Sequence, residues 1–190
     1  MSLPPSQFQR ALSLLRTGPR GLFWRLADQL VRKASGRPLW RVSQVSPLLY
    51  LGGQHSSRGW AAMQARGIQA IVNLREAHKD DAALGIAPTA YLHLPTPDNT
   101  PPSLDDLARG ARFIAQHIER GQAVYVHCGV GVGRAPSQVA AYLISTGLSA
   151  DEALEQIRRV RPFIHLTRAQ RQQLERYAER QHGSIRSFSA

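Results

Sequence analysis

AVYVHCGVGVGRAPSQVAAYLI, residues 123 to 144, runs from an apolar stretch through three spaced glycines into a helix-like stretch. AVYV reads as a buried strand and VAAYLI as the body of an apolar helix. Pro136 falls in the first turn of that helix, where its missing N–H is no loss. A strand that ends in a glycine loop and opens a helix makes an anion site. Successive backbone N–H groups point inward, and the helix N-terminus adds positive potential. Gly129, Gly131 and Gly133 supply the backbone freedom such a cradle needs. The chain's single cysteine, Cys128, stands at the base of the loop, and Arg134 closes it. A thiol held there is favoured as thiolate, and a guanidinium fork matches two phosphate oxygens. The expectation is a phosphate-binding loop of Gly129, Val130, Gly131, Val132, Gly133 and Arg134, with Cys128 as a phosphoryl-transfer nucleophile. The plainer alternative is a small buried cysteine before a tight turn, with Arg134 solvated. A nucleotide-binding P-loop is excluded, because G-x-x-x-x-G-K-[ST] is absent.

Outward from this stretch, extended and helical patterns alternate. RVSQVSPLLYLGG (41–53) reads as two short strands or a hairpin ending in a glycine turn, and SSRGWAAMQARG (56–67) as a short helix. IQAIVNL (68–74) and AYLHL (90–94) read as buried strands, separated by a polar loop or weak helix. PTPDNTPPS (95–103), with four prolines, is a loop. Ser103 then starts a helix whose apolar stripe is Leu104, Leu107, Ala108, Ala111, Ile114 and Ile118. Two further helices are capped by Ser149 with Glu152 and by Thr167 with Gln170. The alternation predicts an α/β fold: a single domain with a central four- to five-stranded sheet flanked by helices. Its expected extent is 39–182, between a basic arm at 1–38 and a tail at 183–190.

HCGVGVGRAP (127–136) resembles the signature of the cysteine-dependent protein phosphatases, in particular their compact dual-specificity branch. The likeness runs from about Leu48 to Tyr177, through YLGGQ, GIQAIVNLRE, PTPDNTPPS and VRRVRPFIHL. It implies Cys128 as nucleophile, Arg134 as phosphate clamp, and an aspartate on a separate loop as general acid, with no metal and no cofactor. At the position after Arg134, where many relatives have Ser or Thr, this chain has Ala135. That departure bears on the second step, hydrolysis of the phosphoenzyme. Ser137 lies two positions further on, turned aside by the helix.

Hydrolysis through phosphocysteine needs a proton donor for the leaving oxygen. Asp98 lies in the proline-rich loop just after a predicted strand, and loops at the carboxyl ends of parallel strands converge. Asp80 and Asp81 are rivals in the preceding loop, while Asp105 and Asp106 suit a helix N-terminus. A turn between prolines is the plain reading of Asp98 with Asn99. Asp98 is the expected acid. Gln170 is accounted for by its place in a helix cap, and His127 fits equally a structural histidine or a neighbour that biases the thiolate.

The 190 residues carry a formal net charge of +11, with +7 of it between Met1 and Arg41. In that arm Phe23, Leu26, Ala27, Leu30 and Val31 form an apolar face opposite arginines. This basic amphipathic helix either packs on the core or touches an anionic membrane through residues 19–35. ALSLL is short and interrupted by Arg16, a poor signal peptide. One cysteine permits no internal disulfide and fits a reducing compartment, so the expectation is cytoplasmic, with a peripheral place at the membrane if the arm binds there. The loop interior holds no Lys or Arg, which argues against multiply phosphorylated inositol lipids. The expected substrate is a phosphorylated protein, on Tyr and on Ser or Thr. A phospholipid or glucan monophosphate, or a phosphate-binding module without turnover, is the alternative. A monomer that binds no specific nucleic acid is expected, since no binding motif accompanies the arginines.

Overall fold

The computed structural model describes Leu30 and residues 42–76, 85, 87–88 and 90–187. Apart from Leu30, the amphipathic helix expected at 19–35 lies outside the described residues, as do Asp80 and Asp81. Five strands form one sheet in the order β1-β2-β5-β3-β4. β1 (Val42–Ser46) and β2 (Leu49–Gly52) make the expected antiparallel hairpin. β3 (Ile68–Arg75), β4 (Ala90–Thr96) and β5 (Ala123–His127) run parallel to one another, and β2 runs parallel to β5. Parallel neighbours need crossovers. α1 (Ser57–Gln64) lies between β2 and β3, and α2 (Leu104–Glu119) between β4 and β5. α3 (Arg134–Ser145), α4 (Ala150–Val160) and α5 (Arg168–Ser187) follow β5, and α5 continues into the segment read as a tail. This is the single α/β domain with a five-stranded sheet that the alternation predicted.

The helix starts read at Ser103, Ser149 and Thr167 are capped as expected, and Ser56 caps α1 in the same way. Ser56, Ser103 and Ser149 accept bonds from backbone N–H groups three residues on, and Ser149 with Glu152 completes a reciprocal capping box. Strand alternation then sorts the interior into two layers. Leu49, Leu51, Ala70, Val72, Leu74, Val124 and Val126 meet Leu107, Ile114, Val139, Leu154 and Leu174 from the helices on one face. Tyr50, Ile71 and Tyr125 meet Trp60 and Met63 of α1 on the other. Because the carboxyl ends of β2 to β5 share one edge, the segments leaving them (53–56, 97–103 and 128–133) gather there.

Candidate active site

Alternation along β5 decides where the thiol points. Val124 and Val126 face the helical layer, and Cys128, two residues on, joins the same core and is 3% exposed. His127 faces the other way: its ring stacks on Tyr125 at 5.5 Å and meets His55 edge-on at 5.3 Å. His127 is thus built into the opposite layer.

The loop that follows is anchored by its carbonyls. The Gln54 N–H donates to Gly129 O at 3.0 Å, and the His165 N–H to Val132 O at 2.8 Å. Arg161 donates from Nη2 to Val130 O at 2.9 Å and from Nε to Gly131 O at 2.7 Å. Ser137 donates from its backbone N–H and from Oγ to Gly133 O, each at 2.9 Å. Every carbonyl from Gly129 to Gly133 is therefore held outward. In a trans peptide the N–H points opposite to its C=O, so the N–H groups of residues 130 to 134 turn toward the loop interior. The Gly131 N–H donates to the Cys128 sulfur at 3.2 Å. Gly131 has φ 74, and a Cβ there would strike the Gly52 backbone. Only glycine meets both demands.

Arg134 reaches back from the first turn of α3 and is 8% exposed. Its Nη1 donates to Thr96 O at 2.7 Å and Leu74 O at 3.3 Å, at the ends of β4 and β3. Nη1 is thus committed to the sheet edge, which leaves the Nε–Nη2 edge as the fork that can meet two phosphate oxygens. Nη2 forms an ion pair with Asp98 Oδ1 at 2.9 Å. Asp98 sits in a turn closed by Thr100 N–H to Pro97 O at 3.2 Å, with Asn99 at φ 64 in the left-handed region that a type II turn requires. Its side chain is 59% exposed, so the carboxylate is open to an incoming molecule while attached to the arginine. Cys128, the loop, Arg134 and Asp98 are thus brought to one place. Asp105 and Asp106 stand at the start of α2, where Asp106 accepts from Ser103 Oγ and pairs with Arg109.

Ser137 is turned aside as expected, its hydroxyl bound to Gly133 O, and Ala135 is fully buried. Arg161 is the residue that sequence reasoning passed over. It is 0% exposed, also donates to Ser43 Oγ at 3.2 Å, and lies 4.5 Å from the centre of the Phe163 ring. A signal for it was present: Ala153, Ile157 and Arg161 step by four from the buried stripe of α4 to its C-cap, whereas Arg159 falls off that stripe and is exposed. Among the described residues no cluster of three or more His, Cys, Asp or Glu is placed to hold a metal. The chemistry open to this arrangement is capture of a tetrahedral oxyanion by inward N–H groups, with sulfur at its base and a carboxyl group at its rim.

Residues 49–148 match the family model described as "Polymorphic toxin system, DSP-PTPase phosphatase". The human protein "Phosphatidylglycerophosphatase and protein-tyrosine phosphatase 1" is 43% identical over 77 residues, which cover 40% of this chain and 38% of that protein. The rat "Dual specificity protein phosphatase 12" is 30% identical over 136 residues, 70% of this chain and 40% of that protein. The matches thus span well under half of the length of these two curated relatives. The solved structure "Crystal structure of Tk-PTP in the active form" superposes with a TM-score of 0.66 at 30% identity, covering 73% of this chain and 97% of that one.

Proposed function

We propose that this chain, which belongs to the DSP-PTPase phosphatase family, hydrolyses phosphate monoesters through a phosphocysteine intermediate. The observation that carries this reading is the row of five outward-held carbonyls around a sulfur that already accepts the Gly131 N–H. Such a cradle is held by the protein's own hydrogen bonds, so its dipoles need little reorganisation in the transition state. An incoming phosphate competes with Asp98 for Arg134 Nη2 and takes that donor over, and the released Asp98 carboxylate takes up a proton from solvent beside the ester oxygen. Cys128 Sγ attacks phosphorus, the P–O ester bond breaks, and Asp98 gives its proton to the departing oxygen. Water then attacks phosphorus and gives a proton to the Asp98 carboxylate. The S–P bond breaks, and inorganic phosphate and the thiolate are regenerated. Ala135 offers no hydroxyl to that thiolate and the Ser137 hydroxyl is bound to Gly133 O, so this second step is the slower one.

Phosphoproteins, at Tyr and at Ser or Thr, are the proposed substrates, in line with the relative named a dual specificity protein phosphatase. A second reading, a phospholipid monophosphate, is favoured by the relative named a phosphatidylglycerophosphatase. In that reading the basic residues 19–35 would hold the enzyme on an anionic membrane from the cytoplasmic side. The deciding experiment is rapid quench with phenyl phosphate, followed by a panel of phosphopeptides, phosphatidylglycerophosphate and phosphoglucan. Wild type should give an acid-sensitive phosphoenzyme with phosphorus on sulfur. Cys128→Ser should lose at least ~10⁴-fold in turnover. Full turnover by the serine variant overturns the assignment, and tight phosphopeptide binding with no turnover of any ester favours a binding module.

A further inference from the structure

The loop that carries Asp98 is fastened to the start of α5 by three side chains. The Thr167 hydroxyl donates to Asn99 O at 3.4 Å, Gln170 Nε2 to Thr100 O at 2.9 Å, and Gln173 Nε2 to Pro102 O at 3.1 Å. Positions 167, 170 and 173 are spaced by three, so they project from one side of the helix start. The loop they hold has little freedom of its own. Pro95, Pro97, Pro101 and Pro102 fix four φ angles, and Thr100 closes on Pro97 O through both its N–H and its hydroxyl.

Gln170 occupies a distinct place among the three. It is buried, and Oε1 accepts the Thr167 N–H at 2.9 Å while its own N–H donates to Thr167 Oγ1 at 3.2 Å. That cap sets the amide's orientation, because a flipped amide would face donor to donor at Thr167 and acceptor to acceptor at Thr100. The same side chain lies against the phosphate loop: a Cβ added at Gly133 would stand 2.9 Å from Gln170 Oε1. One amide therefore touches the helix cap and the acid loop and lies beside Gly133 of the phosphate loop.

We propose that Gln170 is a positioning residue that registers Asp98 against the phosphate loop. Gln173 supports it from the next turn. The inference rests on the phosphatase reading above, and its signature is selectivity for the leaving group. A displaced Asp98 slows expulsion of an oxygen that needs a proton and hardly affects one that does not.

The test uses the full chain with phenyl phosphate and 2,4-dinitrophenyl phosphate. Gln170→Glu keeps the acceptor for Thr167 and removes the donor to Thr100 O. We expect kcat/KM, which reports the leaving-group step whichever step limits turnover, to fall ~10-fold or more on phenyl phosphate and less than ~2-fold on the dinitrophenyl ester. In an Asp98→Asn background the same change should cost nothing further on phenyl phosphate. Amide exchange at residues 98–100 should quicken in the Gln170 variant. Equal losses on both esters, additive loss with Asp98→Asn, or unaltered amide exchange overturns the proposal. Should Gln170→Glu fail to fold, Gln173→Ala must show the same selectivity in smaller degree, and a flat effect there overturns it too. Failure of the wild type to cleave either ester strikes instead at the phosphatase reading, and loop exchange still reports on the clamp.

Discussion

The phosphate loop and the acid loop face one another across the Arg134–Asp98 ion pair but are held by opposite means. The phosphate loop is fixed through its main chain. Five carbonyls are bound by donors from the β2–α1 segment, from Arg161, from the α4–α5 segment and from the loop's own helix. The acid loop is fixed by side chains of a single helix start and by prolines. The first is buried or half-buried and knitted into much of the fold, while the second carries its working carboxylate largely in solvent. The difference teaches where each function is stored. Anion binding is a property of the folded core, and proton donation is an attachment to it. Changes in the first region should lower stability and activity together, and changes in the second should lower activity alone.

The largest test of this contrast in stability is Arg161→Met. It strips donors from Val130 O, Gly131 O and Ser43 Oγ, and buried acceptors left unpaired cost about 1–3 kcal/mol each. A loss of roughly 3–5 kcal/mol in denaturant unfolding is expected, accompanied by near-complete loss of turnover. A stable, active methionine variant would break the claim that the framework holds the loop. Gly131→Ala comes next. The alanine meets a left-handed φ and the Gly52 backbone, for an expected cost of about 2–3 kcal/mol by the same unfolding assay. Phosphate affinity measured by calorimetry should fall with it. Asp98→Asn should have the smallest effect on stability, within ~1 kcal/mol, because the pair it breaks is half in solvent. Yet kcat for phenyl phosphate should drop by ~10²–10⁴. If Asp98→Asn unfolds the protein as readily as Arg161→Met, the two regions are not separate.

The sequence made some of this contrast readable and hid the rest for physical reasons. Strands and helices were legible because their apolar spacing follows the local period, and the caps at Ser103 and Ser149 announce themselves within four residues. Cys128, the glycines and Arg134 were legible because one short segment contains them all. Asp98 could be placed through the rule that strand-end loops converge, although its contact with Arg134 spans 36 positions. Arg161 was not found, because its partners in the phosphate loop lie 30 and 31 residues away and are carbonyls, which every residue possesses. Gln170 was explained correctly as a cap, and that explanation concealed its second bond, made by the other atom of the same amide to Thr100, 70 residues away. Long-range bonds to main-chain atoms leave no mark in the side chains they reach.

The outward binding of the five carbonyls also links the protein's folding to the ionic composition around it. Since the cradle is held by donors from distant parts of the folded chain, an oxyanion of phosphate size binds the folded state and has no counterpart site in the unfolded one. Mass action then adds RT ln(1 + [L]/Kd), about 2.7 kcal/mol at a hundredfold excess over Kd. The same anion is the product of the proposed reaction. Accumulating phosphate would therefore protect the chain from unfolding while it occupies the cradle and holds back further turnover, so that the enzyme is most durable when it is least active.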